Sequence, residues 1–137
     1  MNYWLVKSEP EKWSWDAQVK AKTTFWDGVR NYMAANFMKA MKIGDLAFFY
    51  HSNEGKEIVG IVEITKEAYP DPGDKAGKFV MVDLAPREPL KTPVTLATIK
   101  AEPKLGKLLL VKQGRLSVSP VGPEEWRLLC KMGGVAP

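Results

Sequence analysis

The chain has one cysteine, Cys130, and one histidine, His51, among its 137 residues. A single thiol excludes an intramolecular disulfide. With one thiol and one imidazole, a zinc site would have to lean on carboxylates, and Asp and Glu are not clustered at ligand spacing. No metal and no cofactor are therefore expected. A cysteine nucleophile would have only His51 as its base. Cys130 sits in the run Trp126–Cys130 and reads instead as a buried structural thiol. There is no glycine-rich phosphate loop, no dinucleotide fingerprint and no nucleophile elbow. No apolar run approaches the roughly 20 residues that span a bilayer; the longest, Asp45–Tyr50 and Leu108–Val111, are strand- or turn-length. Met1–Ser8 has no signal-peptide apolar region. The expectation is a cytoplasmic chain, or a nuclear one in a eukaryote, with no membrane partner.

What is present is an ordinary globular composition, 45% hydrophobic and 26% charged, at a length that suits one domain with a real core. The net charge is +4 and the pI about 9.1, which fits a polyanionic partner. Lys100, Lys104, Lys107, Lys112 and Arg115 fall in one stretch with a single acid, Glu102. They are the candidates for phosphate contact, although a solvated face is the commoner meaning of such a run.

Periodicity predicts a strand over Tyr3–Lys7, ended by Pro10. Ser14 is placed to cap a short helix over Trp15–Lys20. Phe25–Asn31 has no clean period and contains Gly28, so it reads as a loop. A helix is predicted over Tyr32–Met41, then a hairpin of Asp45–His51 and Ile58–Tyr69 about a turn at Ser52–Lys56. After the Pro70–Gly77 loop, Lys78–Arg87 alternates as a strand. Pro86, Pro89 and Pro93 read as a stiff connection. Thr95 is a cap for a helix to Ala101, with a further helical turn around Lys104–Val111. Ser117–Val121 is a short last strand. Pro123, Glu124 and Glu125 open a final helix that Gly133 stops. There is no internal repeat and no linker. One α+β domain follows, a small partly closed barrel with short helices around it.

Two segments carry most of the functional signal. Trp4-Leu5-Val6-Lys7-Ser8-Glu9-Pro10 delivers three polar residues at the end of an apolar strand. On the residues alone, an ordinary strand exit with solvated charges is the better reading. Phe25-Trp26-Asp27-Gly28-Val29-Arg30-Asn31-Tyr32 offers a flat aromatic face beside an acceptor, a forked donor and a group that does both. Holding one nucleobase needs such a mixture. A core Trp26 with an Arg30–Asp27 ion pair explains the same residues equally well. Tyr50-His51-Ser52-Asn53 is a third strand end, where a structural histidine is the better reading. Trp4, Trp13, Trp15 and Trp126 are expected to serve as core and scaffold.

Together with Met41–Asn53, Ile58–Glu63, Lys66–Asp71 and Arg115–Val121, these runs resemble the EVE domain family of the PUA-like superfamily, in order and over nearly the whole chain. The resemblance implies an α+β fold, a small curved, partly closed antiparallel β-barrel surrounded by short helices. It also implies kinship with the YTH domain, a reader of methylated adenine in RNA, and no catalytic residue. The implied function is a non-enzymatic, monomeric module that binds DNA or RNA by accommodating one modified base. Trp26 would stack on that base. Lys7, Ser8, Glu9, Asp27 and Asn31 would contact its edges or sugar, and Arg30, Tyr50, His51 and Ser52 would line the pocket or its mouth. Met33 and Ala35 stand where many relatives have Gln and Arg, so one polar or phosphate contact is expected to be missing. Two rivals stay open. One is an enzyme on such a base with Glu9 or Asp27 as acid or base. The other is a small-molecule or protein-interaction domain on the same fold.

Overall fold

A computed structural model describes all residues, 1–137. Its elements run β1 (Tyr3–Ser8), α1 (Trp15–Ala21), β2 (Thr24–Trp26), α2 (Tyr32–Ala40), β3 (Leu46–His51), β4 (Glu57–Pro70) and β5 (Val80–Thr95). Then come α3 (Leu96–Ala101), a 3-10 turn at Pro103–Leu105, α4 (Leu109–Lys112), β6 (Val118–Val121) and α5 (Pro123–Gly133). The strands form one six-stranded sheet in the order β2-β5-β4-β3-β1-β6. The end strands β2 and β6 do not pair with each other, so the sheet stays partly open, in the α+β class the sequence implies. The neighbours are antiparallel except β1 and β3, which run parallel with Leu5 opposite Phe48. Parallel neighbours need a long crossover, and α1, β2 and α2 supply it.

Both faces of the sheet are covered. Trp4 and Val6 of β1, Ala47 and Phe49 of β3, and Val62 and Ile64 of β4 join one core with Trp15, Trp26, Ala34 and Met38. Leu5, Phe48, Tyr50, Ile58 and Ile61 join the other, with Ile99, Leu105, Trp126 and Leu129. Alternate side chains of a strand point to opposite faces. A strand buried on both sides therefore reads as an unbroken apolar run, as Leu46–Tyr50 does. Cys130 is fully buried in the second core, and burial, with Glu88 adding, pushes its thiol up to about 11.

Three boundaries differ from the sequence reading. The predicted loop Phe25–Asn31 begins as strand: β2 pairs with β5, Trp26 opposite Val82. Three residues are too few to show a period, and only the partner strand defines them. The three prolines expected to form a connection lie inside β5. Past Leu84 the far side of β5 has no β2 partner, and the β4–β5 register shifts between Ile61 and Val62 and between Ile58 and Gly60, near Pro86 and Pro89. Edges and bulges are where a residue without an N–H is tolerated. The last helix runs through Gly133, and the left-handed turn falls on Gly134. The Ser14 cap is formed, its hydroxyl accepting from the Ala17 N–H at 3.1 Å.

Gly60 of β4 lies directly against the Trp15 ring of α1. A Cβ there would stand 2.5 Å from the Trp15 ring. Glycine in a strand costs roughly 0.5–1 kcal/mol relative to alanine, but overpacking a rigid aromatic costs about 1–3 kcal/mol, and the second effect wins. Gly60→Ala is expected to lower unfolding free energy by about 1–2 kcal/mol net, measured by urea denaturation. An unchanged midpoint would show that Trp15 yields freely.

Candidate functional site

The ends of β1 and β2 frame a cleft of about 700 Å³, within the range of small-ligand sites. Lys7, Ser8 and Glu9 come to it from β1 and its exit; Trp26, Asp27, Gly28, Arg30 and Asn31 come from β2 and the loop after it. The two segments singled out in the sequence thus meet in one place.

Several of these side chains are already committed. Ser8 donates its hydroxyl proton to the Trp13 carbonyl. Asn31 caps α2, its Oδ1 accepting from the Ala34 N–H at 3.0 Å. Arg30 donates to Asp71 Oδ2 at 2.9 Å and to the Val29 carbonyl. Glu9 pairs with the exposed Lys12 at 3.2 Å. Lys7 is half-buried and donates from Nζ to the Gly114 carbonyl at 2.7 Å. It has no carboxylate partner, and burial lowers its pKa below the ordinary lysine value. The Asp27 side chain is exposed and makes no hydrogen bond within the chain. Trp26 is only 8% exposed and meets Phe49 edge-on in the core. It is both core aromatic and cleft wall, so the two readings of that residue hold at once. The Arg30–Asp27 pair does not form; the partner is Asp71.

Asp71 shapes this wall. It is buried and accepts from Gly28 N at 3.0 Å, Arg30 Nη1 at 2.9 Å and Gly73 N at 2.8 Å. Burial is the largest single influence on the carboxyl and opposes its charge. The three hydrogen bonds and the guanidinium together outweigh it and hold the pKa below the usual value. Gly28 has φ +78°, a left-handed conformation that turns its N–H to this carboxylate, and glycine adopts it without strain. Arg30 also lies over the Phe79 ring at 5.5 Å, and Tyr32 tilts on the same ring. The loop 70–79 thereby props the cleft wall from outside.

Tyr50, His51 and Ser52 do not line the cleft; they hold its back. Tyr50 is buried in the opposite core, and burial raises its phenol pKa. Ser52 N donates to the Ser8 carbonyl at 2.9 Å. His51 Nε2 accepts from the Trp15 N–H at 3.0 Å, which requires an unprotonated nitrogen there. Burial lowers the imidazole pKa, against Glu57 and Asp16, and keeps it so. Met33 and Ala35 do not line the cleft either.

Lys12, Trp13, Thr24, Phe25, Val29 and Ser117 complete the lining, and the sequence reading missed them. Trp13 had a signal. Pro10 follows Glu9, whose carbonyl accepts from Lys12 N and Trp13 N at 2.9 Å. This helical turn folds Trp13 back over the strand end, where its Nε1 donates to Gln18 at 2.9 Å. Ser117 had none, since only pairing with β1 brings it there.

The EVE domain model matches residues 2–132. The chain belongs to the EVE domain family. This EVE domain is 39% identical to thymocyte nuclear protein 1 of Homo sapiens over 160 residues, covering 91% of this chain and 71% of that protein. The NMR structure of Rpa0253 from Rhodopseudomonas palustris is 63% identical with a TM-score of 0.92, over 98% of this chain and 94% of that one. The crystal structure of human THYN1 protein in complex with 5-methylcytosine containing DNA is 36% identical with a TM-score of 0.90, over 100% of both chains.

Because the folded Asp71 pKa lies below its unfolded value, its stabilisation is complete above about pH 4 and is lost as pH falls through the folded value. Asp71→Asn is expected to cost about 1.5–3 kcal/mol at pH 7, with the gap from the native protein closing on acidification below pH 4. Urea titrations of both proteins across pH 2–7 measure it. A gap independent of pH would show that the charge contributes nothing.

Proposed function

We propose that this chain is a DNA-binding module that takes one modified cytosine out of the base stack and holds it in the cleft, with no catalytic step. One observation supports it above others. Trp13 and Trp26 surfaces and the uncommitted Asp27 carboxylate share one cleft in a chain that matches human THYN1, solved with 5-methylcytosine containing DNA, over its full length. A carboxylate accepts from the exocyclic amine of cytosine; thymine has no amine to offer. Ser8, Glu9, Asn31 and Ser117 supply further donors and acceptors at the base edge or sugar, and Lys7 stands at the edge of the cleft. Arg30, tied to Asp71, shapes the mouth.

The energies agree. Extruding a base costs a few kcal/mol, and stacking on an aromatic returns about 1–3 kcal/mol. A methyl group fitted to an apolar wall adds about 1–3 kcal/mol of selectivity. One cleft serves one base, so a monomer suffices. No helix is long and apolar enough to cross a membrane. The vertebrate relatives carry "nuclear" in their name, which fits a DNA partner; a cytoplasmic chain would meet DNA only where no nuclear envelope intervenes.

Glu9 and Asp27 both line the cleft, the arrangement an acid–base enzyme on a modified base would need. The two readings separate in one experiment. Fluorescence anisotropy with short methylated and unmethylated strands, DNA and RNA, is expected to show preference for methylated DNA. Trp13→Ala should cost about 1–3 kcal/mol of binding, and Asp27→Ala should weaken binding while leaving the fold intact. The oligonucleotide should be recovered whole after long incubation. Base loss or cleavage abolished by Glu9→Gln would establish the enzyme instead. Trp26→Ala is the poorer probe, because emptying a buried tryptophan site costs about 3–5 kcal/mol of stability.

A further inference from the structure

The two faces of the sheet sort the basic residues. Ile99 of α3, Leu105 of the 3-10 turn, Leu108 and Leu110 bury in the core that contains Leu5 and Phe48. Trp26 and Val29, which line the cleft, belong to the core on the other face. Lys100, Lys104 and Lys107 therefore ride on segments that cover the face away from the cleft. Between α4 and β6 the chain changes sides. Leu109 touches the Trp26 core, Leu110 and Val111 still pack on the Leu5 side, and Leu116 and Val118 lie within the Trp26 core. Lys112 and Arg115 sit on the stretch that crosses between them.

The crossing segment is bound to the cleft's own strand. Lys7 N donates to the Ser117 carbonyl at 2.9 Å, Lys7 Nζ reaches the Gly114 carbonyl, and Ser117 lines the cleft. Alternation along β1 sets the Lys7 side chain on the Leu5 face, 5.8 Å from the Tyr50 ring, so its ammonium marks where the segment turns over the sheet edge. Arg115 and Lys112 are exposed on that segment, and neither enters any of the three ion pairs of the chain. Lys7 and the segment that bears Lys112 and Arg115 thus meet at one edge of a cleft that Asp27 also lines.

We propose that the nucleic-acid strand whose base enters the cleft runs along residues 112–117. The phosphates beside that base are held by Arg115 and Lys7, with Lys112 extending the track, while Lys100, Lys104 and Lys107 contact none. This rests on the base-holding reading and adds a direction to it. The strand lies on the β6 side of the cleft, and the basic stretch divides into a part that binds and a part that solvates.

The salt dependence of Kd for a short single-stranded DNA carrying 5-methylcytosine tests it. Removing one phosphate-binding cation flattens the log–log slope by about 0.7 on single strands. Arg115→Ser is expected to flatten it by that amount and Arg115→Lys to restore it. Lys100→Ser, Lys104→Ser and Lys107→Ser combined should leave it unchanged. Arg115 is exposed and makes no ion pair within the chain, and circular dichroism of each variant separates loss of folding from loss of binding. A slope flattened by the triple variant, or untouched by Arg115→Ser, overturns the track. Failure of the base-holding reading shows elsewhere, as equal Kd for methylated and unmethylated strands, and leaves the slopes readable. Absence of binding to any strand overturns both.

Discussion

The central stretches of β1, β3 and β4 bury apolar side chains on both faces, and much of the molecule follows from having to cover them. A sheet with one wet face needs helices on one side only; this one needs cover on two. The chain meets the demand by splitting its helices. α1 and α2 close the Trp26 side, α3 and α5 close the Leu5 side, and α4 touches both, with Leu109 on the first and Leu110 on the second. Each β1 side chain from Trp4 to Val6 is buried, so the first polar residues can appear only where the strand leaves the sandwich, at Lys7, Ser8 and Glu9. The cleft lies where cover runs out.

A ligand site at such a place needs rigid walls, and here the rigidity is polar. Asp45 is buried beside Trp4. It accepts from Trp4 Nε1 at 3.0 Å, Lys42 N at 2.9 Å and Asn2 N at 3.1 Å, which pins the start of β3 to β1. Asp71 performs the same office for the 27–31 loop. Buried carboxylates survive only with their hydrogen-bonding capacity met, so each fixes several backbone positions at once. The cleft floor is thus held by packing and its rim by charge, which lets residues such as Asp27 stay free for a ligand. A site on rigid supports loses less entropy when it binds.

Much of the candidate site was legible because local chemistry announced it. Trp4–Pro10 shows a strand ending in polar residues, and Trp26–Asn31 shows an aromatic among donors and acceptors with a glycine for the turn. What stayed illegible was which polar groups were already engaged. Arg30 and Asp27 are neighbours in sequence, yet Arg30 reaches 41 positions along the chain to Asp71. The family resemblance put His51 at the pocket, yet it is occupied by the N–H of Trp15, the structural role that the residues alone favoured. Pro86, Pro89 and Pro93 argued against a strand, because the bulges that tolerate them belong to the pairing of two strands rather than to either one. The basic run from Lys100 to Arg115 was visible as charge, but linear spacing has no knowledge of faces.

By itself the sequence determined the α+β character, the extent of most strands and helices, and the family. Alternation, capping and turn chemistry act within a few residues and can be read there. Tertiary structure alone decided the parallel pairing of β1 with β3, the strand character of Thr24–Trp26, the arrival of Trp13 and Ser117 at the cleft, and the division of the lysines between two faces. These depend on contacts between residues far apart in the chain. A side chain's freedom to meet a ligand is what remains after such contacts have been made.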